Sequence, residues 1–339
     1  MVYIILLNWN GAAVTIDCAE SVLALEGTPF RLVICDNASA DDSVARLREW
    51  ASGRVGESVS GRPHLLELPN EPNAWQHASP AEGGVVLIQT GANRGFAGGN
   101  NVGIRYGLAR GDADFFWILN NDTTVAPNAL SALVAKARSD AGFGIVGSTL
   151  VYHYRPTHVQ VLGGCRFSAW TTRIAPVGWG KTAAEAAVTP ESEVESQLDY
   201  VTGASMLVSR TFIADVGLMQ EDYFLYCEEI DWAERGRRSP TRRWKLGFAR
   251  ESVVFHKVGA SAETGVSKAS TRYFYASKIR FMKRFYPART LVILLMVAMQ
   301  GIKRLFTGGP GQAMVILSVV AHARDITAAP RQSASVDAP

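Results

Sequence analysis

The chain has 339 residues, a hydrophobic fraction of 47% and a charged fraction of 19%. These values fit a well-packed globular protein, and the length predicts two domains or one large α/β domain with an appendage. The formal net charge of +3 at pH 7 is too small to indicate a nucleic-acid-binding protein.

Strand and helix signals alternate through the first half of the chain. Apolar runs predict strands at residues 2–7, 30–35, 85–89, 114–119 and 144–150. Helical periodicity follows the first four of them, at residues 12–25, 41–51, 100–109 and 128–139. This alternation is typical of a mostly parallel sheet with helices on both faces.

Two polar segments interrupt this order. Residues 53–84 are rich in Gly, Pro, Ser and Glu and predict a surface excursion. Residues 182–197 are Ala-rich and acidic, and predict a loop or a lone exposed helix. Weaker strand signals flank this second segment at residues 159–162 and 200–209.

The cysteines and the start of the chain indicate the cellular compartment. Cys18, Cys35, Cys165 and Cys227 show neither CxxC pairing nor metal-like spacing, so we expect reduced thiols. The first apolar run is short and leads straight into polar residues, so we interpret it as a strand and not as a secretory signal. Both features predict a cytoplasmic protein.

The C-terminal part of the chain is apolar and basic. Residues 290–300 and 313–321 are apolar runs of roughly ten residues, about half the length of a membrane-spanning helix. Basic residues flank the first run: Arg280, Lys283, Arg284, Arg289, Lys303 and Arg304. Two interpretations stay open, an interfacial attachment to an anionic membrane and a helical hairpin packed on the main domain. From residue 328 onward the composition predicts a disordered tail.

Polar segments follow four of the predicted strands. They are residues 8–11 (Asn-Trp-Asn-Gly), 36–39 (Asp-Asn-Ala-Ser), 93–101 and 120–123 (Asn-Asn-Asp-Thr). The carboxyl ends of parallel strands meet at one edge of a sheet, where open α/β folds bind their ligands. Four polar segments at that edge therefore predict a ligand site.

One of these segments indicates metal chemistry. The fourth strand stops abruptly at Asn120, Asn121 and Asp122. A hard divalent cation on a diphosphate needs only one or two such carboxylates, with phosphate and water oxygens completing its shell. A simple turn is the alternative, because Asn and Asp also favour turns.

Another segment is rich in glycine. Gly95, Gly98 and Gly99 precede the third predicted helix, so the backbone could approach a phosphate at the helix N-terminus. The spacing is not GxGxxG, and the Lys-Ser/Thr pair of a P-loop is absent. A purely structural turn is therefore the alternative.

A second group of candidate residues lies near residue 230. An aromatic run at 223–226 leads into three carboxylates, Glu228, Glu229 and Asp231. On a helix the first and third share one face, and the second points elsewhere. The structural alternative is that they complement a helix dipole. His256 ends an apolar, strand-like run, where a histidine is either a satisfied polar residue or a metal ligand.

Together these segments resemble the family 2 inverting glycosyltransferases, in particular the bacterial rhamnosyltransferase-like branch. The matching segments occur in the family's order over roughly residues 1–260: 8–11, 36–39, 93–101, 120–123, 201–208, 223–232 and His256. The resemblance implies a GT-A fold, a Rossmann-like α/β domain with a mostly parallel central sheet, plus a C-terminal helical appendage. We expect the GT-A domain at 1–265, with a nucleotide-sugar half (1–125) and an acceptor half (126–265), then a helical region (266–327) and the tail (328–339).

The resemblance also implies which residues bind a nucleotide-sugar donor. Asp36 matches the position that grips the pyrimidine base, with Trp9 and Asn10 nearby. The glycine-rich segment would lie along the ribose and diphosphate. The implied donor residues are Asn8, Trp9, Asn10, Asp36, Asn93, Gly95, Gly98, Gly99, Asn120 and Asn121. Gly203 and Ala204 match the acceptor-side turn.

The family's metal motif is Asp-x-Asp, and here Asn120 replaces its first acid. Asp122 is then the only carboxylate of the motif, and His256 becomes a second metal contact by resemblance. The implied cofactor is Mg²⁺ or Mn²⁺, which would neutralise the departing nucleoside diphosphate.

An inverting transfer also needs a base for the acceptor hydroxyl. In the family this base is the second residue of an acidic pair, and Glu229 occupies that position. Asp231 stays open as the alternative base, and either Glu228 or Asp231 would orient the base or grip the acceptor.

The expected activity is transfer of L-rhamnose from dTDP-rhamnose to a lipid-linked or growing surface-polysaccharide acceptor. The sugar transfer would take place at the cytoplasmic face of the cell membrane. A UDP-sugar donor, galactofuranosyl or hexosyl, is the alternative within the same fold. A sugar-nucleotide nucleotidyltransferase should carry Arg and Lys in a Gly-rich loop after the first strand, and residues 8–11 do not. A non-catalytic glycan-binding member should have lost its acids, which are present.

Overall fold

A computed structural model describes residues 1–53, 65–75, 84–257, 267–307 and 309–326 of the protein. In chain order the strands are β1 Val2–Asn8, β2 Phe30–Asp36, β3 Leu66–Pro69, β4 Val85–Gln89, β5 Phe115–Asn120, β6 Thr123–Val125, β7 Phe143–Tyr152, β8 Arg155–Leu162, β9 Gly164–Phe167, β10 Ile174–Pro176, β11 Tyr200–Val201, β12 Ser205–Ser209 and β13 Lys245–His256. The helices are α1 Ala12–Leu23, α2 Ser43–Gly53, α3 Pro72–Trp75, α4 Gly95–Arg110, α5 Ala129–Ser139, α6 Ala183–Val188, α7 Glu191–Glu195, α8 Arg210–Val216, α9 Glu228–Arg237, α10 Lys268–Phe285, α11 Thr290–Phe306 and α12 Pro310–Ala321.

The central sheet has a parallel half and a mixed half. Its order is β3-β4-β2-β1-β5-β12-β7-β13-β6, and β8 pairs with β7. All pairs from β3 to β5 are parallel, whereas β12 runs antiparallel between β5 and β7. The register places Asn8 beside Asp36, and Leu7 beside Asn120, so the polar ends of β1, β2 and β5 are level with one another.

Hydrophobic cores lie on both faces of this sheet. Side chains alternate along a strand, so Ile4 and Leu6 of β1 pack with α1 and α5 on one face. Tyr3 and Ile5 pack with α4 on the other face. A strand covered on both faces is apolar at every position, which is why β1 and β5 read as continuous hydrophobic runs. The predicted mixed α/β fold with a mostly parallel sheet is confirmed.

The structure corrects several predicted boundaries. Helix α4 begins at Gly95, five residues before the predicted start, and the strand signal at 200–209 is divided into β11 and β12. Residues 182–197 are neither a loop nor an exposed helix: they form α6 and α7, whose Val194 is buried. Lys136 on α5 lies within ion-pairing distance of two carboxylates of α7. The predicted excursion at 53–84 contains β3 and α3, while residues 54–64 and 76–83 lie outside the described part.

The C-terminal helices pack on one another. Ile293, Val297 and Gly301 of α11 are buried, as are Ala313 and Ile316 of α12. Within the described ranges, no helix combines the length and the apolar character needed to cross a membrane. The sides of α11 and α12 that face each other are therefore packed as the hairpin interpretation predicts. The predicted tail at 328–339 lies outside the described residues.

Candidate active site

The polar ends of β1 and β2 form a hydrogen-bonded floor. The Asn8 side-chain amide donates to Asp36 Oδ1 at 2.8 Å, and its carbonyl oxygen accepts from the Thr15 hydroxyl at 2.7 Å. Asp36 is buried and also accepts from the amide and hydroxyl of Ser39. These bonds fix the carboxylate in one orientation before any ligand arrives.

Trp9 and Asn10 directly follow β1 in the chain. Trp9 is 56% exposed, and an exposed aromatic side chain at this edge could stack on a planar ligand such as a nucleobase. Asn10 has a positive φ of 51°, and its side chain accepts from the amide of Ala40. The β1 and β2 loops are thereby joined into one wall.

The glycine-rich segment lies within a helix and not before it. Gly95, Gly98 and Gly99 are not a loop before a helix but the first turns of α4, and all three are buried. A Cβ on Gly99 would lie 2.3 Å from a methyl of Leu7, and one on Gly95 would lie 2.1 Å from the carbonyl oxygen of Phe224. These glycines permit close packing against protein, and their predicted contact with the ribose and diphosphate of the donor stays a prediction.

Sequence reasoning missed Asn37, which connects this helix start to β2. Its buried side-chain amide donates to Asn93 Oδ1 at 3.0 Å and to the Gly95 carbonyl at 3.2 Å. Its carbonyl oxygen accepts from the Arg94 amide. The residue lies in the polar segment after β2, but nothing in the pattern showed that it would point inward.

Asp122 and His256 meet at the end of β5. Strand β13 pairs antiparallel with β6, placing His256 beside Thr123. His256 Nε2 lies 3.2 Å from Asp122 Oδ1, and both side chains are nearly buried. His256 Nδ1 lies 2.9 Å from Gln160 Oε1, so the two ring nitrogens face a side-chain amide and a carboxylate.

This pair has the chemistry of a small metal-binding site. An imidazole nitrogen and a carboxylate oxygen are both ligands of divalent cations, and their separation of 3.2 Å would let them occupy neighbouring positions around one ion. The described residues contain no group of three or more His, Cys, Asp and Glu side chains that could hold a metal. The Asn120 backbone amide donates to the Ala204 carbonyl, and the Asn121 side-chain amide donates to the Thr15 hydroxyl.

A strained turn leads into the acidic helix α9. Phe224, Tyr226 and Cys227 have φ values of 60°, 69° and 71°, a left-handed conformation that costs about 1–2 kcal/mol per non-glycine residue. Helix α10 holds the turn in place. The Ser277 hydroxyl lies within hydrogen-bonding distance of two of its carbonyl oxygens, and the Tyr273 ring stacks on Phe224 at 4.6 Å.

The three carboxylates of α9 have different surroundings. Asp231 is fully buried, accepts from the Tyr223 hydroxyl at 2.8 Å, and forms ion pairs of 2.7 Å with Arg235 and Arg284. Its oxygens are therefore committed within the protein. The structure argues against Asp231 as the base or as an acceptor contact, and assigns it to holding α9 against α10.

Glu228 and Glu229 lie at the first turn of α9. Glu228 is buried, and its Oε2 has no hydrogen-bond partner among the described residues. Burial, with Glu229 next to it, raises the pKa of Glu228 well above the usual glutamate value, which favours its neutral form. Glu229 is partly exposed, and burial of its carboxyl group raises its pKa as well.

One turn joins the acidic helix to the end of β5. The Gly203 amide donates to Glu229 Oε1 at 3.2 Å, and the neighbouring Ala204 carbonyl accepts from the Asn120 amide at 3.1 Å. Gly203 and Ala204, predicted as the acceptor-side turn, thus bring the acidic helix to the edge that carries Asp122. The turn thereby links the Glu229 carboxylate to the end of the strand that precedes Asp122.

Comparisons with known proteins match part of the chain to a glycosyltransferase family. Residues 3–163 match the model of Glycosyl transferase family 2. A low-salt glycan biosynthesis hexosyltransferase, Agl10 of Haloferax volcanii, is 23% identical over 186 residues, 53% of this chain and 55% of the relative. The chain thus spans about half the length of this curated relative. The family match is shorter than the predicted resemblance to residue 260 and excludes Glu229 and His256.

Two solved structures share the fold. The mannosyltransferase PcManGT from Pyrobaculum calidifontis, in complex with GDP-Man and Mn²⁺, has a TM-score of 0.51 and 13% identity, covering 94% of this chain and 75% of its own. GalNAc-T7 with UDP, GalNAc and Mn²⁺ has a TM-score of 0.53 and 14% identity, covering 84% of this chain and 48% of its own.

Proposed function

The chain carries a glycosyl transferase family 2 domain over residues 3–163, and on that premise we propose that it is an inverting, metal-dependent glycosyltransferase. The supporting observation is the turn at Gly203 and Ala204. It bonds the Glu229 carboxylate on one side and the end of β5 on the other, which connects the proposed base to the proposed diphosphate-binding edge.

Glu229 is the proposed base. Burial raises the pKa of Glu229 above the ordinary glutamate value, so its ionised form is a stronger proton acceptor than that of an exposed glutamate. Glu229 takes the proton of an acceptor hydroxyl, whose oxygen attacks the anomeric carbon as the bond to the nucleoside diphosphate breaks. The sugar is thereby transferred with inversion. The proton then leaves Glu229 for solvent.

Asp122 and His256 would hold a divalent cation. Two protein donors leave room for diphosphate oxygens and water, which suits Mg²⁺ or Mn²⁺ in nucleotide sites. When bound, the cation would neutralise charge on the departing nucleoside diphosphate. Support for a divalent metal also comes from the two fold neighbours, both solved with Mn²⁺.

The proposed donor is dTDP-rhamnose, and the proposed acceptor is a lipid-linked or growing surface polysaccharide. The donor rests on the sequence resemblance. A UDP- or GDP-linked hexose is the alternative, because the relative Agl10 is a hexosyltransferase and the fold neighbours were solved with GDP-Man or with UDP and GalNAc. Trp9 and Asp36 are the proposed nucleobase contacts. The division at residues 265 and 327 stays a prediction.

A donor panel tests the function. Purified protein with Mn²⁺ or Mg²⁺ is offered dTDP-rhamnose, UDP-galactofuranose, UDP-hexoses and GDP-mannose, and nucleoside diphosphate release is measured. We expect release from one nucleotide class, abolished by Glu229→Gln and by Asp122→Ala. Release that is unchanged in both variants would overturn the proposed mechanism.

A further inference from the structure

Helix α11 has an apolar face that no described residue covers. Five large side chains recur at i, i+4, i+8, i+11 and i+15, and their exposed fractions range from 48% to 84%: Leu291, Leu295, Met299, Ile302 and Phe306. We call these residues the α11 outer face. On the opposite side of the helix, Ile293, Val297 and Gly301 pack on α12, so the helix is apolar on both sides.

The surrounding sequence has one sign of charge. Between residues 268 and 324 there is no Asp or Glu, whereas ten residues are Lys or Arg. Lys303 and Arg304 are exposed on the last turns of α11, next to Phe306 in sequence. At the other end, the Arg289 guanidinium lies 3.9 Å from the centre of the exposed Trp170 ring. Cations and an indole ring at the ends of an apolar strip are typical of helices at a lipid headgroup layer.

The occupant that fits this face is an anionic bilayer and not a second copy of the chain. Two copies meeting here would bring together two cationic regions that contain no carboxylate, which disfavours association. Anionic headgroups instead attract each cation near the surface. A helix of 17 residues is about 25 Å long, and lying in the membrane plane it would insert its whole outer face.

We propose that the α11 outer face docks the protein on an anionic phospholipid bilayer, with the helix axis parallel to the membrane. This deepens the proposed use of a lipid-linked acceptor. Helix α10 connects the docked region to the site, because it packs against α12 and also bonds the turn before Glu229. Docking would therefore hold the acceptor-binding side at a fixed height above the lipid.

Vesicle sedimentation of the full chain tests the proposal. The wild type is mixed with phosphatidylcholine vesicles containing about one third phosphatidylglycerol, or with phosphatidylcholine alone, at low and high salt. The double variant Leu295→Glu/Met299→Glu places two charges on exposed positions. Val188→Glu is the matched control, because Val188 is an exposed apolar residue on α6, 77% accessible and outside this face.

We expect salt-sensitive binding to the anionic vesicles, reduced about tenfold or more in the double variant and unchanged in the control. Lys303→Glu/Arg304→Glu should weaken binding in the same direction. Thermal melting identifies any variant that has lost its fold. Equal binding of the double variant and the wild type would overturn the proposal, as would a dimer that dissociates in the double variant. Glu229→Gln should bind like the wild type, so docking is judged separately from transfer.

Discussion

The Gly203 amide donates a hydrogen bond of 3.2 Å to Glu229 Oε1, and the site leaves no room for a side chain between them. A Cβ on residue 203 would lie 2.6 Å from that same oxygen. Position 203 therefore needs a glycine if the Glu229 carboxylate is to keep this orientation. Through this bond, a residue 26 positions earlier in the chain controls the orientation of the proposed base.

Gly203→Ala should displace the Glu229 carboxylate by rotating its side chain. Because a flexible side chain can move, we expect little change in melting temperature but a fall in kcat of about 10²-fold, a typical effect of a misplaced catalytic group. Donor KM should change little. Gly309→Ala is the control, since a Cβ there meets no atom closer than 3.7 Å. A variant at 203 with wild-type kcat would show that this bond does not position the base.

Glu229→Gln and Asp231→Asn should have opposite profiles. The first should keep the melting temperature and lose about 10²–10⁴-fold in kcat, because an amide cannot accept the proton. The second should lower the free energy of unfolding by about 3–5 kcal/mol, because two buried arginines lose their counter-charge. Chemical denaturation and steady-state rates measure both. A stable Asp231→Asn protein without turnover would indicate that Asp231, and not Glu229, is the base.

The pH dependence of the rate should report the raised pKa of Glu229. The base must be ionised, so kcat/KM falls as the pH decreases through that pKa. Burial raises it from the ordinary value of 4.5, so the acid limb should lie above the range of an exposed glutamate. A pH profile at saturating metal measures the limb. An acid limb at or below pH 4.5 would contradict the burial of this carboxylate.

Glu228→Gln should become increasingly stable relative to the wild type as the pH rises. The folded-state pKa of Glu228 is raised, so its contribution to stability is fully present below the unfolded pKa and is lost as the pH rises through the folded value. Glutamine does not titrate and keeps the neutral form throughout. Urea midpoints of both proteins at pH 5 and pH 8 measure the difference. A constant difference between the two proteins would mean that Glu228 titrates normally.

Gln160→Ala should weaken metal binding although Gln160 would not touch the metal. Its side-chain amide lies 2.9 Å from His256 Nδ1 and orients the imidazole ring, and loss of such outer contacts typically costs about 10–100-fold in metal affinity. Mn²⁺ titration with nucleoside diphosphate present, followed by paramagnetic relaxation, measures affinity without turnover. His256→Ala should weaken binding further. The test fails if Gln160→Ala binds Mn²⁺ like the wild type.

The sequence predicted the centre of the sheet well because its strands are mostly apolar runs that end in polar residues. β1, β2 and β5 have this pattern, so the level arrangement of Asn8, Asp36 and Asn120 followed from their positions alone. The sequence pattern predicted that the glycine-rich segment lies outside the helix, because glycine has a low helix propensity. The close approach of Leu7 and Phe224 overrides that preference, and such tertiary contacts are invisible in one sequence.

The separate roles of the three α9 carboxylates could not be predicted either. Helical spacing gives the direction of each side chain but not its partners, and Arg284 is 53 residues away from Asp231 in sequence. The contact between Gln160 and His256 could not be predicted either, because the two residues are 96 positions apart in the sequence. Gln160 also lies on a strand with only a weak sequence signal.

The left-handed turn at residues 224–227 limits how this protein can diversify. Three non-glycine residues adopt a conformation that an isolated chain would leave, and α10 supplies the hydroxyl and the ring that restrain them. The C-terminal region therefore cannot be exchanged between relatives as an independent module. In a chimera that joins the first 265 residues to another helical region, the α/β fold should form but the turn before α9 would lack its restraints. The exception is a helical region that carries equivalents of Ser277 and Tyr273.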